Sequence, residues 1–180
     1  MFKKAVFPKI LVLILLAAVS TDSFAEKIKT KRIQYMEWGF TIELPQDWER
    51  HSQKVPDYTY YTCIAPLDSN ETAPKAKINI LVGPKKEEHD DDFFFEKTLF
   101  SVKGKEIDRG AITIKDPKRD IPGKWIHYYQ ERDGNNDVEV LSYLILEGGI
   151  VYMIICYADE DVFDTYETMF REIALSLRST

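Results

Sequence analysis

The chain has 180 residues, with 24 lysines and arginines against 30 aspartates and glutamates, and a net charge of −6. That acidic balance argues against nucleic acid or an anionic membrane surface as a partner. It fits a soluble protein that meets basic proteins or cations, or one that simply stays soluble, and the length fits one domain with a real hydrophobic core.

The first residues read as a targeting segment. Lys3, Lys4 and Lys9 make a basic start, and the apolar run at 10–19 is too short to span a bilayer as a helix. Ser23 and Ala25 are the small residues that a signal peptidase accepts, so a cut is expected after Ala25, with an uncleaved anchor as the alternative. Removal would take Lys3, Lys4, Lys9 and Asp22 away and leave about −8 on residues 26–180, expected to be a single domain in the periplasm or outside the cell. No cysteine lies near the cut, so lipid attachment there is not indicated.

The stretch 39–50, GFTIELPQDWER, opens the folded part. Phe40, Ile42 and Leu44 alternate with Thr41 and Glu43, as in a half-buried strand. Pro45 cannot donate to a ladder and ends it; Gln46 and Asp47 turn the chain. Trp48 arrives just past the strand end, where a large ring can close one end of the core. Residues 58–65 are aromatic and β-branched and predict a second strand. A loop at 68–74 contains the sequon Asn70-Glu71-Thr72, read here as a polar loop. Ile78, Ile80 and Val82 then share one face of a strand over 76–82, stopped by Gly83-Pro84.

An acidic run follows, and Phe93, Glu96, Lys97 and Phe100 have helical spacing, predicting a helix over about 91–102. Strands are predicted over 106–115, 123–132, 138–146 and 150–158. Asp133-Gly134-Asn135-Asn136 is a hairpin signal, and Gly148-Gly149 turns the chain again. The run 150–158 is apolar on both faces, as a covered strand in mid-sheet would be. Phe163, Tyr166, Phe170, Ile173 and Leu177, with Ala174 alongside, make the apolar stripe of a closing helix, with Asp159 or Asp161 as its cap. The order of elements predicts an α+β fold: an antiparallel sheet of about six or seven strands flanked by helices in an α/β/α sandwich.

Candidate sites are few. Glu87, Glu88, Asp90, Asp91 and Asp92, with His89 among them, could hold a cation, but the run has no defined ligand spacing and reads first as a solvated helix N-terminus. His51, His89 and His127 stand in no known catalytic spacing with a nucleophile or a second histidine. His127, between Trp125 and Tyr129, reads as a hydrogen-bonded sheet residue, with general-base chemistry as the alternative. Tyr58, Tyr60, Tyr61, Trp125, Tyr128, Tyr129, Tyr143 and Tyr152 fall in predicted strands. Core and cross-strand pairing accounts for most of them, and the rest suit a groove or an interface. Cys63 and Cys156 sit inside predicted strands; a bridge is chemically possible outside the cytoplasm, but two buried thiols are expected.

The stretch GFTIELPQDW, and the closing GGIVYMIICYADEDVFDTYETMFREIALSL, resemble the opening and the end of the PsbP-like superfamily, which includes DcrB and the Ran-binding import factor. Phe163, Phe170 and Ser176 stand at matching places; the middle agrees in element order. The resemblance implies an antiparallel sheet between helices. It also implies a protein that binds and stabilises partners rather than catalysing a reaction, with Trp48, Phe163 and Phe170 as scaffold. The expected function is an exported, non-enzymatic accessory protein of an envelope or secreted assembly. It would have a protein partner, no nucleic acid partner, no cofactor and no catalytic or metal residues. A hydrolase-like enzyme built on the sheet, or a cation-binding protein, is the alternative.

Overall fold

Residues 28–67, 69, 71–86, 95–96, 102–132 and 137–180 are described by a computed structural model of the chain, and among them alternating side chains build two antiparallel sheets. The smaller has the order β1 (Thr30–Tyr35), β2 (Phe40–Pro45), β10 (Arg178–Ser179). The larger has the order β3 (Glu49–Val55), β4 (Tyr58–Ile64), β5 (Ala76–Pro84), β9 (Ile150–Asp159), β8 (Val138–Glu147), β7 (Asp120–Gln130), β6 (Lys105–Lys115). The helix α1 (Phe163–Leu175) follows β9 after a short 3-10 turn, Glu160–Val162.

The alternation decides the layers. Phe40, Ile42 and Leu44 of β2, together with Phe163, Phe170 and Ile173 of α1, pack on Ile78, Ile80, Tyr143, Tyr152 and Ile154 of the large sheet. The small sheet and α1 therefore cover one face of it. On the other face Phe95, in a helical stretch with Glu96, packs with Ile126, Tyr128, Val140 and Val151. This is the expected α+β arrangement with a seven-stranded sheet. The predicted helix over 91–102 lies largely outside the described residues; Phe95, Glu96 and Val102 are helical. The leader, the acidic run at 87–92, Asn70 and the turn at 133–136 lie outside them too. The strands on either side of 133–136, β7 and β8, pair antiparallel, Gln130 with Val138.

The run 150–158 is the central strand, β9, flanked by β5 and β8. Gly148 and Gly149, at φ 58° and 81°, make the tight turn that returns β8 into it. Gly39 has φ 59° where a 3-10 turn, Met36–Trp38, feeds β2; a side chain there would be strained.

Three local expectations need correction. β1 and β3 are strands that the alternation reading passed over, because β3 is polar at every position but Val55 and exposed along nearly its whole length. β7 starts at Asp120 rather than 123, with Pro122 inside it. β8 pairs with β7 only from Gly123 onward, so at Pro122 the strand has a partner, β6, on one side only, where a proline is tolerated. Neither Asp159 nor Asp161 caps α1. Val162 holds that position without a side-chain cap bond, since the 3-10 turn separates the aspartates from the helix start. Leu177 is buried but lies past the helix end, next to the C-cap Ser176. There the Ser176 hydroxyl donates to the Ile173 carbonyl at 2.7 Å and accepts from the Glu43 N–H at 2.8 Å, joining α1 to β2.

The sheet order settles the cysteines. Cys63 pairs with Ile78 and Ile78 with Cys156, so β5 separates them. Two strand spacings are about 9–10 Å, beyond the roughly 7 Å that a bridge spans. Both are free and buried. Titration of the denatured, unreduced protein is expected to find both thiols reactive in every chain; finding none would show that they are bridged.

Asp116, buried just after β6, accepts from the Lys118 N–H at 2.9 Å and the Ser179 N–H at 3.1 Å, tying β10 to this end of the large sheet. The Lys118 backbone bond, then that of Ser179, holds its carboxyl below the ordinary 3.8. A depressed folded pKa stabilises above the unfolded value, and that contribution disappears as pH falls through the folded one. Denaturation followed from neutral pH to below pH ~3 should therefore cost the parent more stability than Asp116→Asn. Parallel curves for the two would refute the role given to Asp116.

Candidate functional site

A groove of about 210 Å3 lies between the two sheets, lined by Ile33 and Tyr35 of β1, Arg50, His51 and Ser52 of β3, and Tyr61 of β4. The period of two in β1 aims Ile33 and Tyr35 one way and Arg32 and Gln34 the other. Tyr35 stacks on Phe40 with centroids 4.8 Å apart and meets Tyr61 at 4.1 Å, so the groove wall continues the aromatic packing of the core. Burial pushes the Tyr35 hydroxyl up to about 12, with the Cys63 thiol beside it as a second cause. It is a protonated donor at neutral pH. Burial likewise pushes Cys63 up to about 11 and raises Cys156 further, so neither is a thiolate nucleophile at neutral pH.

The charges around the groove are mostly matched. Arg32 meets Glu43 at 3.0 Å, His51 meets Glu49 at 2.9 Å, and Lys54 meets Glu37 at 2.7 Å. Arg50 has no carboxylate within ion-pair range among the described residues; it lines the groove with Tyr35 and stands opposite Cys63 in the β3–β4 ladder. What the groove offers is therefore aromatic wall plus hydrogen-bond donors. A second pocket of about 190 Å3, on the opposite face beside Phe95 and Lys124, contains Arg109. That cation is already engaged by Glu96 and Glu106, which makes it the weaker site.

Trp48 is buried in the main core, with its ring edge-on to Tyr166 at 5.8 Å. The His127 Nε2–H donates to the Glu139 carboxylate at 2.8 Å, and the ring stacks on Phe163 at 5.0 Å, so it joins β7, β8 and the start of α1 beneath the helix. His51 is an exposed partner of Glu49. Tyr143 and Tyr152 are core, Tyr128 is buried on the far face, Tyr129 bonds Asp137 through its hydroxyl, and Trp125 lies under Arg171. Tyr61 alone of the predicted aromatics lines the groove, while Tyr60 points outward on the other face. Glu87, Glu88, His89, Asp90, Asp91 and Asp92 lie outside the described residues. Tyr35 and Arg50 were missed. The alternation Arg32, Ile33, Gln34, Tyr35 could have revealed β1, but nothing in ERHSQKV marks a strand.

No family model matches the chain, and no curated protein is similar to it in sequence. Solved structures are similar in fold. The cyanobacterial PsbP (CyanoP) of Synechocystis sp. PCC 6803 superposes with a TM-score of 0.60 at 14% identity, over 85% of this chain and 94% of that one. LpqN, involved in cell envelope biogenesis of Mycobacterium tuberculosis, gives 0.56 at 14% identity, over 84% and 91%. The Pseudomonas aeruginosa protein PA94, of unknown function and a putative regulator, gives 0.50 at 12% identity, over 82% and 94%. The chain has the PsbP-like fold. No helix among the described residues is long and apolar enough to cross a membrane.

Proposed function

We propose that this chain acts outside the cytoplasm as a non-enzymatic accessory protein that holds a protein partner of an envelope or secreted assembly. The observation that carries the reading is the groove, where Tyr35 and Tyr61 form an aromatic wall and Arg50 stands without a carboxylate partner among the described residues, between two sheet edges. Aromatic and arginine side chains at a partly exposed edge are the composition of protein interfaces. The likeness in fold to a protein of cell envelope biogenesis supports an envelope setting.

The test is affinity capture from the native envelope with the tagged chain. A partner recovered in near-stoichiometric yield, and lost with Arg50→Ala at unchanged melting temperature or with a Tyr61→Ala variant that is still folded, supports the reading. Repeated capture without a partner overturns it. Turnover found in a broad hydrolase screen and lost in a folded His127→Ala variant would replace it with the enzymatic reading, in which the Glu139–His127 pair serves as a base.

A further inference from the structure

Among the described residues β1 and β3 are each an end strand of their own sheet, and both contribute to the wall of the groove. An end strand presents N–H and C=O groups without a ladder partner on one side, which makes it a template for another strand. Proteins protect such edges with charge. Along β3 that protection is largely spent internally, because His51 and Lys54 are matched by Glu49 and Glu37. The charge left over is Arg50.

We propose that the outer edge of β3 takes an extended segment of a protein partner, added as an antiparallel strand, with one acidic side chain opposite Arg50. This rests on the reading of the chain as a partner-binding protein, and names the chemistry that the partner brings. Side chains directly opposite in an antiparallel pair share a face, so a residue across from Arg50 points into the groove. The groups waiting there donate: the Arg50 guanidinium, the Tyr35 hydroxyl and the Ser52 hydroxyl. Burial keeps Tyr35 protonated. The planar guanidinium fits a carboxylate in a fork, with the two hydroxyls as further donors along the same lining. Free small molecules of drug size take pockets of about 300–1,000 Å3. At about 210 Å3 the groove falls below that range and has room for a side chain, with the backbone of the segment held along the edge. The net charge of −6 repels a polyacidic tract, which points to one carboxylate between uncharged neighbours.

The test is an NMR titration of the 15N-labelled full chain. The probes are the capped pentapeptide Thr-Val-Glu-Val-Thr, its counterpart with glutamine at the centre, and sodium acetate at matched carboxylate concentration. The glutamate peptide is expected to shift the amides of β3 saturably, the glutamine peptide to bind about tenfold more weakly, and acetate to leave the β3 amides in place. Arg50→Gln should lose the same tenfold toward the glutamate peptide with its melting temperature unchanged. The peptide pair reads the contact without altering the protein, so the test survives a variant that fails to fold. Equal binding of the two peptides, no movement of β3 at millimolar peptide, or the same β3 shifts with acetate would each overturn the proposal. The two levels separate cleanly. A native partner captured equally by the parent and by Arg50→Gln removes the edge site and leaves the accessory role. Binding of the glutamate peptide by a chain that captures no native partner does the reverse.

Discussion

Trp48→Ala is expected to destabilise the whole chain by about 3–5 kcal/mol, the usual cost of emptying a buried tryptophan site. Its ring lies just beyond β2 and just before β3, and it is 6% exposed. It meets Tyr166 edge-on at 5.8 Å. It therefore packs where the small sheet, the edge of the large sheet and α1 come together, just past Pro45 at the end of β2. At this size 1 kcal/mol shifts the melting temperature by about 2–4 °C, so a loss of roughly 10 °C should be visible in thermal denaturation. A variant that melts with the parent would show that the ring does not close the core.

Phe170→Ala is expected to cost a similar amount, about 3–5 kcal/mol. Phe170 is fully buried in α1, stacks on Tyr166 at 5.8 Å and lies 6.1 Å from Phe163. A helix of 13 residues is marginal alone and owes its stability to the face it buries. Loss of this ring also exposes the packing around Phe163, on which His127 stacks. Leu175, on the same helix but 42% exposed, is the control. Its alanine variant should stay within about 0.5 kcal/mol of the parent. Chemical denaturation of the two variants decides it: similar midpoints would mean that α1 is not anchored by its apolar stripe.

Much of this architecture was legible because side-chain period reports local burial. β2, β4, β5 and β9 alternate or run apolar, and each lies in or against the core. The groove was not legible, because its two walls come from strands that bury little. β3 gains its strand conformation from the ladder to β4, residue for residue from Glu49 with Ile64 to Val55 with Tyr58, and not from its own side chains. Asp57, at φ 70°, turns that hairpin with a residue that tolerates the left-handed region, a faint signal in a polar stretch. The shift of the α1 cap to Val162 was equally hidden, since a 3-10 turn and an α-helix begin with the same acidic residues.

By itself the sequence determined what depends on neighbours along the chain: which segments are strands with an apolar face, that 150–158 is covered on both sides, that the last helix is amphipathic, and that Trp48 closes a strand end. Only the tertiary structure decided what depends on neighbours across it. It set β5 between Cys63 and Cys156, put His127 under Phe163 rather than in an open site, and brought β1 beside β3 so that Arg50, Tyr35 and Tyr61 share one groove. The reason is physical. A period of two is imposed on each strand by the pleat, whereas the choice of partner strand is made by the total apolar surface that the assembled sheets bury, a quantity that no single segment carries.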